Sequence, residues 1–133
     1  MVSSRLKLFS NSVVQGVARS RAGVVTTPED VAAFGSKGRL KLGAEPPLAE
    51  RAGWLWENDL ENVPLFLFLA LADVLTGGRP MICAVLFGTY FLSQVLHSVA
   101  LLRAMQPMRS ISYVVGVAVC FTISVRLVIA VLG

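Results

Sequence analysis

The chain has 133 residues, of which 55% are hydrophobic and only 15% charged, with a formal net charge of +4. A soluble domain carries roughly a quarter charged residues, so this composition, with a mean hydropathy of +0.69, excludes an ordinary soluble globule and points to a membrane protein of at most one domain, 1–133. The basic residues flank apolar segments instead of clustering with aromatics, which argues against nucleic acid as a partner and for charge as a topology signal.

Residues 1–22 mix Arg5, Lys7, Arg19 and Arg21 with Leu6, Leu8, Phe9, Val13, Val14 and Val17. They lack the long apolar core and small-residue cleavage site of a secretory signal, and they are too short and polar to cross a bilayer comfortably alone. Three readings fit: a helix lying partly in the membrane, the second half of a spanning helix, or a basic amphipathic targeting segment. Next, 27–49 reads as a cytosolic loop. Thr27-Pro28-Glu29-Asp30 is a helix start, with a capping hydroxyl, proline at the first helical position and acids at the positive end of the dipole. A short helix over 31–34 follows, then a glycine-rich linker over 35–47 carrying Lys37, Arg39 and Lys41.

Three apolar segments come after, at 60–76, 81–102 and 111–132, each long enough to cross a ~30 Å hydrocarbon core as a helix. With their flanks they predict membrane helices over 50–77, 81–103 and 109–132. The intervening turns, Gly77-Gly78-Arg79-Pro80 and the stretch from Arg103 to Arg109, are short, so neighbouring helices should be antiparallel. Most basic residues precede the first span or lie between the second and third, which puts those two regions on the cytosolic side and Arg79 on the other. Pro64 stands either at a local kink or at a plain helix start.

Polar side chains stand out against this background. With a helix starting near Glu50, Trp54, Asn58, Glu61 and Asn62 share one face while Asp59 points elsewhere. Amides and a carboxylate suit a zwitterionic, peptide-like ligand; the same groups also serve to fix helices at a membrane boundary. At the start of the last span Arg109, Ser110 and Tyr113 put a guanidinium, a hydroxyl and a phenol on adjacent turns. A guanidinium beside a bound thiol favours the thiolate; an interfacial anchor is the alternative. In the second span Gln94, His97, Ser98 and Leu101 share a face, and His97 reads as an interhelical hydrogen-bonding residue. Asp73 and Arg126 suit an ion pair between the first and last spans, or snorkelling to the headgroups. Cys83 and Cys120 read as thiols buried in apolar runs, with a disulfide or redox role as the alternative; no metal-ligand spacing is present.

Together the run from Glu50-Arg51 through Asn58-Asp59-Leu60-Glu61-Asn62 to Pro64, the upstream stretch from Thr27 to Gly35, His97, and the stretch from Gln106 to Ser110 resemble the MAPEG family, the membrane-associated proteins in eicosanoid and glutathione metabolism, and its microsomal glutathione transferases in particular. The resemblance implies an all-α integral membrane protein. Its protomer would be a four-helix bundle with a shortened first helix, assembled as a homotrimer with glutathione held between subunits near the cytosolic face. It further implies a glutathione transferase of the endoplasmic reticulum or outer mitochondrial membrane. Glutathione would be the co-substrate and a lipophilic electrophile the partner from the lipid, with reduction of lipid hydroperoxides as a further activity. Residue by residue, Arg109 would stabilise the thiolate, and Arg19, Asn58, Glu61, Ser110 and Tyr113 would contact glutathione. The chain departs from the family pattern at Gly53, Trp54, Trp56, Gln94 and Leu101, where relatives carry basic, histidine or tyrosine residues. Those departures raise the alternative of a catalytically impaired relative kept as a membrane scaffold.

Overall fold

A computed structural model describes residues 2–34 and 41–133, with side chains at 9–33 and 42–133. The expected linker residues 35–40, with Lys37 and Arg39, and the side chains of Arg5, Lys7 and Lys41 lie outside the described residues. The chain is mostly helical, in the order α1 (Val2–Ala22), β1 (Val24–Val25), α2 (Pro28–Phe34), β2 (Lys41–Leu42), α3 (Pro47–Leu75), α4 (Pro80–Leu102) and α5 (Gln106–Leu132). It forms two compact units, 1–59 and 60–133, with the division falling inside α3.

In the first unit α1 ends at Gly23, whose φ of 63° is the left-handed conformation that glycine adopts without a Cβ clash. Its N–H reaches the Ser20 carbonyl at 3.3 Å. Thr27 caps α2 as expected: its hydroxyl accepts the Asp30 N–H at 3.4 Å, with Pro28 at the first helical position. Two features differ from the sequence expectation. The loop contains a two-residue parallel pair, Val24 opposite Lys41 and Val25 opposite Leu42, a long-range pairing too short to leave a periodic signal. Also, α3 begins at Pro47, not near Glu50, because Pro47 fits a first helical position and the Pro46 carbonyl accepts the Glu50 N–H at 3.0 Å. Pro64 therefore lies well inside α3 and is not a helix start.

In the second unit both interhelical turns are Schellman motifs, in which two N–H groups beyond the helix fold back onto its last carbonyls. After α3, Gly78 N–H bonds the Asp73 carbonyl at 2.9 Å and Gly77 N–H bonds Val74 at 3.2 Å, with Gly77 at φ 81°. After α4, Met105 N–H bonds Ala100 at 2.8 Å and Ala104 N–H bonds Leu101 at 3.2 Å. Here the left-handed position, φ 58°, is filled by alanine. Prolines at the starts of α4 and α5 complete each reversal.

The core of this unit joins Phe66 and Ala70 of α3, Tyr90 of α4, and Val119 and Ile123 of α5. Phe66 stacks on Tyr90 with ring centroids 3.7 Å apart and meets Phe87 edge-on at 5.7 Å. Ser112, Gly116, Val119 and Ile123 form the inward stripe of α5. A Cβ on Gly116 would stand 3.2 Å from Ser93 Oγ and 3.3 Å from Gln94 Nε2, so the absence of a side chain there sets how closely α4 and α5 approach, as small residues do in membrane bundles. The outward faces stay apolar, with Phe68, Met81 and Phe121 each more than 70% exposed. By length and composition α4 and α5 can cross a membrane. In α3 the acids Asp59, Glu61 and Asp73 punctuate the segment 58–75.

The ion pair suggested by the sequence is present. Arg126 Nε donates to Asp73 Oδ1 at 3.2 Å, and the Cys83 thiol donates to Asp73 Oδ2 at 3.2 Å. One buried carboxylate thus ties the end of α3 to the first turn of α4 and to α5. A Cβ on Gly78 would stand 2.6 Å from the Asp73 carbonyl oxygen and 2.9 Å from the Cys83 sulfur, so glycine is needed for this corner to close. Both cysteines are free thiols.

Removing one member of a buried pair leaves the other charge uncompensated, at a cost of about 3–5 kcal/mol, whereas replacing both with apolar groups is close to neutral. Asp73→Leu is accordingly expected to lower the unfolding temperature in detergent sharply, and Asp73→Leu with Arg126→Met to recover most of the loss. Ala104→Gly should raise stability by about 1 kcal/mol in the same measurement, since it relieves the left-handed Cβ penalty.

Candidate functional site

The first turn of α5 is held from α4. His97 Nδ1 lies 3.1 Å from the Arg109 carbonyl oxygen, and a carbonyl only accepts, so the Nδ1 position carries the proton and donates. Ser112 Oγ adds a donor to the same carbonyl at 3.0 Å and to Met108 O at 2.7 Å. The His97 and Tyr113 rings stand 6.0 Å apart. His97 is buried, Arg109 half-buried, and Ser110 and Tyr113 exposed. This part of the expected set is therefore brought together: Arg109, Ser110 and Tyr113 sit on consecutive turns, and a buried imidazole fixes their backbone. Glu61 is exposed on α3 and makes no ion pair with Arg109 among the described residues.

One turn further along α5 a cleft of about 70 Å³ opens between α3, α4 and α5, lined by Asn62, Leu65, Tyr90, Gln94, Tyr113, Gly116, Val117 and Cys120. Its polar groups are amides and phenols, with no charged side chain among them.

In the first unit α1 is joined to α3 and to the residue stretch just before it by polar contacts that run antiparallel. Asn11 Nδ2 donates to Asp59 Oδ2 at 2.9 Å, Gln15 Nε2 donates to the Ala49 carbonyl at 3.5 Å, and the Arg19 guanidinium pairs with the Glu45 carboxylate. Gly53 lies under the Gln15 amide, 3.2 Å from where its Cβ would be. Asn58 is half-buried and Trp54 is 48% exposed, whereas Asp59 has no exposed surface. Asp59 is the residue that the sequence reading set aside. The signal that could have found it is the inward stripe Ala52, Leu55, Asp59, an acid at a helical spacing otherwise occupied by apolar residues.

Compared with known protein families, residues 1–129 match the MAPEG family. The chain belongs to that family. It is 29% identical to horse (Equus caballus) prostaglandin E synthase over 124 residues, covering 92% of this chain and 79% of that protein. It is 30% identical to the rat (Rattus norvegicus) prostaglandin E synthase over 123 residues, covering 92% and 78%. It is also 30% identical to human (Homo sapiens) microsomal glutathione S-transferase 1 over 123 residues, covering 91% and 79%. Membership in the MAPEG family agrees with α4 and α5 being long and apolar enough to cross a membrane.

The Asn11–Asp59 contact lends itself to a direct measurement. Without the Asn11 amide a fully buried carboxylate loses a donor, which costs about 1–3 kcal/mol. Asn11→Ala is expected to lower the unfolding midpoint of the purified protein by that amount. Ser12→Ala, an exposed change one residue away, should leave the midpoint within ~0.5 kcal/mol.

Proposed function

We propose that this chain is a membrane-bound glutathione transferase that conjugates glutathione to lipophilic electrophiles. In this reading α1, α3, α4 and α5 form a four-helix protomer, three protomers assemble as a homotrimer, and glutathione lies between them on the cytosolic side. The membrane is that of the endoplasmic reticulum or the outer mitochondrial surface. The observation that carries the reading is the His97-held first turn of α5, which presents a half-buried guanidinium, a hydroxyl and a phenol together in a chain of the MAPEG family. The similarity to a protein named microsomal glutathione S-transferase 1 supports the same chemistry.

Arg19, Asn58 and Glu61 would hold the charged ends of the tripeptide, and Ser110 and Tyr113 would contact it near the sulfur. The Arg109 guanidinium would stabilise the thiolate, since an adjacent positive charge favours the ionised thiol. The thiolate then attacks an electrophilic carbon, a C–S bond forms, and the leaving group departs with its electron pair. With a lipid hydroperoxide, two glutathiones would supply the two electrons that convert it to alcohol and water, leaving the disulfide. Because relatives named prostaglandin E synthase stand at comparable identity, a prostaglandin precursor belongs among the substrates tested.

A second reading, a scaffold that no longer binds glutathione, is favoured by one observation: the Arg19 guanidinium is already paired with Glu45.

The deciding experiment is a glutathione titration of the purified protein, following thiolate absorbance and conjugation of a lipophilic electrophile. The transferase reading expects a thiolate signal and turnover, with Arg109→Ala lowering turnover about 10- to 100-fold, the worth of one charge-assisted contact. Neither signal at millimolar glutathione would leave the scaffold.

A further inference from the structure

Arg19 lies in the last turn of α1, and its guanidinium is already occupied. Its Nε and Nη2 groups both donate to a single oxygen, Oε1 of Glu45. The two side chains are 35% and 24% exposed, so the pair is open to a solute. A guanidinium binds a free carboxylate best through two parallel bonds, one to each oxygen. Glu45 fills the Nε–Nη2 edge, which such a ligand would use, with one oxygen only.

Glu45 is 26 residues away in sequence and reaches Arg19 through the fold of the first unit. The parallel pair sets Lys41 and Leu42 beside Val24 and Val25, just past the end of α1. The Gly43 N–H continues onto the Val25 carbonyl at 3.4 Å, and a Cβ on Gly43 would stand 3.6 Å from Val24 Cγ1. On the other side the Pro46 carbonyl accepts the Glu50 N–H at 3.0 Å, and Gln15 reaches the Ala49 carbonyl at 3.5 Å. Residues 43–46 therefore form a short bridge pinned at both ends, and Glu45 is its one charged side chain.

A partly exposed ion pair is weak enough to be displaced. A tethered carboxylate nevertheless acts at an effective concentration on the order of millimolar. A free carboxylate has to outcompete it, and its apparent affinity falls with the fraction of molecules in which Arg19 is released.

We infer that Glu45 is a built-in competitor for a carboxylate of the thiol co-substrate: its side chain occupies Arg19 in the resting protein and swings aside when glutathione binds, which sets the affinity of the site. The inference rests on the transferase reading for the placing of Arg19 against glutathione. On it, the same pairing that favours a scaffold is a reversible lock.

Glutathione binding to the full purified chain in detergent is measured by equilibrium dialysis. Glu45→Gln keeps the shape and removes the charge. It is expected to bind glutathione about two- to fivefold more tightly than the wild type, the worth of one partly exposed ion pair. Loss of a merely structural contact would weaken binding instead. In an Arg19→Ala background the same change should have no effect, nor should it alter binding of glutathione diethyl ester, whose carboxylates are blocked. Weaker binding by Glu45→Gln overturns the inference, as does a gain that survives without Arg19 or with the diester. If Glu45→Gln is poorly folded, Glu45→Asp, which keeps the charge but is one methylene shorter, must bind more tightly than the wild type. Binding to neither the wild type nor Glu45→Gln overturns the inference and the transferase reading together. Equal binding to both strikes the inference alone, and tighter binding without a thiolate signal strikes the transferase reading alone.

Discussion

Hydrocarbon offers no hydrogen-bond partners, so a polar side chain inside a membrane helix has to end on another part of the protein. The rest of this structure depends on how the chain meets that demand. Asp73 accepts from Arg126 and from the Cys83 thiol, and ties α3, α4 and α5 at one corner. His97 donates to a carbonyl in the first turn of α5 and ties α4 to α5 at the other end of that pair. Between these two ties the packing is apolar and close, with Phe66 stacked on Tyr90 and Gly116 against Ser93 and Gln94. The polar contacts fix register, which nondirectional packing of Leu, Val and Phe leaves loosely specified.

Register carries through to chemistry. An arginine at the end of a membrane helix is common and by itself only an anchor. The Arg109 carbonyl is in addition held by a buried imidazole and a serine hydroxyl, so its turn has little freedom to rotate. A guanidinium whose backbone is fixed loses less entropy on engaging a ligand than one on a frayed end. The substitutions at Gly53, Trp54 and Trp56, which depart from the family pattern, fall in the other unit, where Gly53 lies under Gln15.

Features set by neighbouring residues or by charge were legible from sequence. The Thr27 cap and Pro28, the glycine turn after α3, the facing of His97 and the Asp73–Arg126 pair all follow from local propensity or from the need of a charge in an apolar run to find its opposite. Features that pair distant segments were not. The Val24–Val25 strand against Lys41–Leu42 is too short for alternation to show. The Asn11–Asp59 contact depends on how α1 lies on α3, and Arg19–Glu45 on where the residues before α3 run along α1, which no periodicity in either segment reveals. Within the candidate site, Arg109, Ser110 and Tyr113 were legible as neighbours on one helix. The role of His97 in holding them needed the three-dimensional fold.

Taken alone, the amino-acid order determined a helical protein of the MAPEG family with membrane-protein character, and the places where its helices turn. Those follow from hydropathy, turn chemistry and a motif, all of which are written within a few residues. Only the tertiary structure decided that Asp59 is buried against Asn11 of α1, that Arg19 is engaged by Glu45, and that an uncharged polar cleft lies beside Tyr113. Each of these is a property of two or three helices in a particular register, and register is set by contacts between residues far apart in the chain.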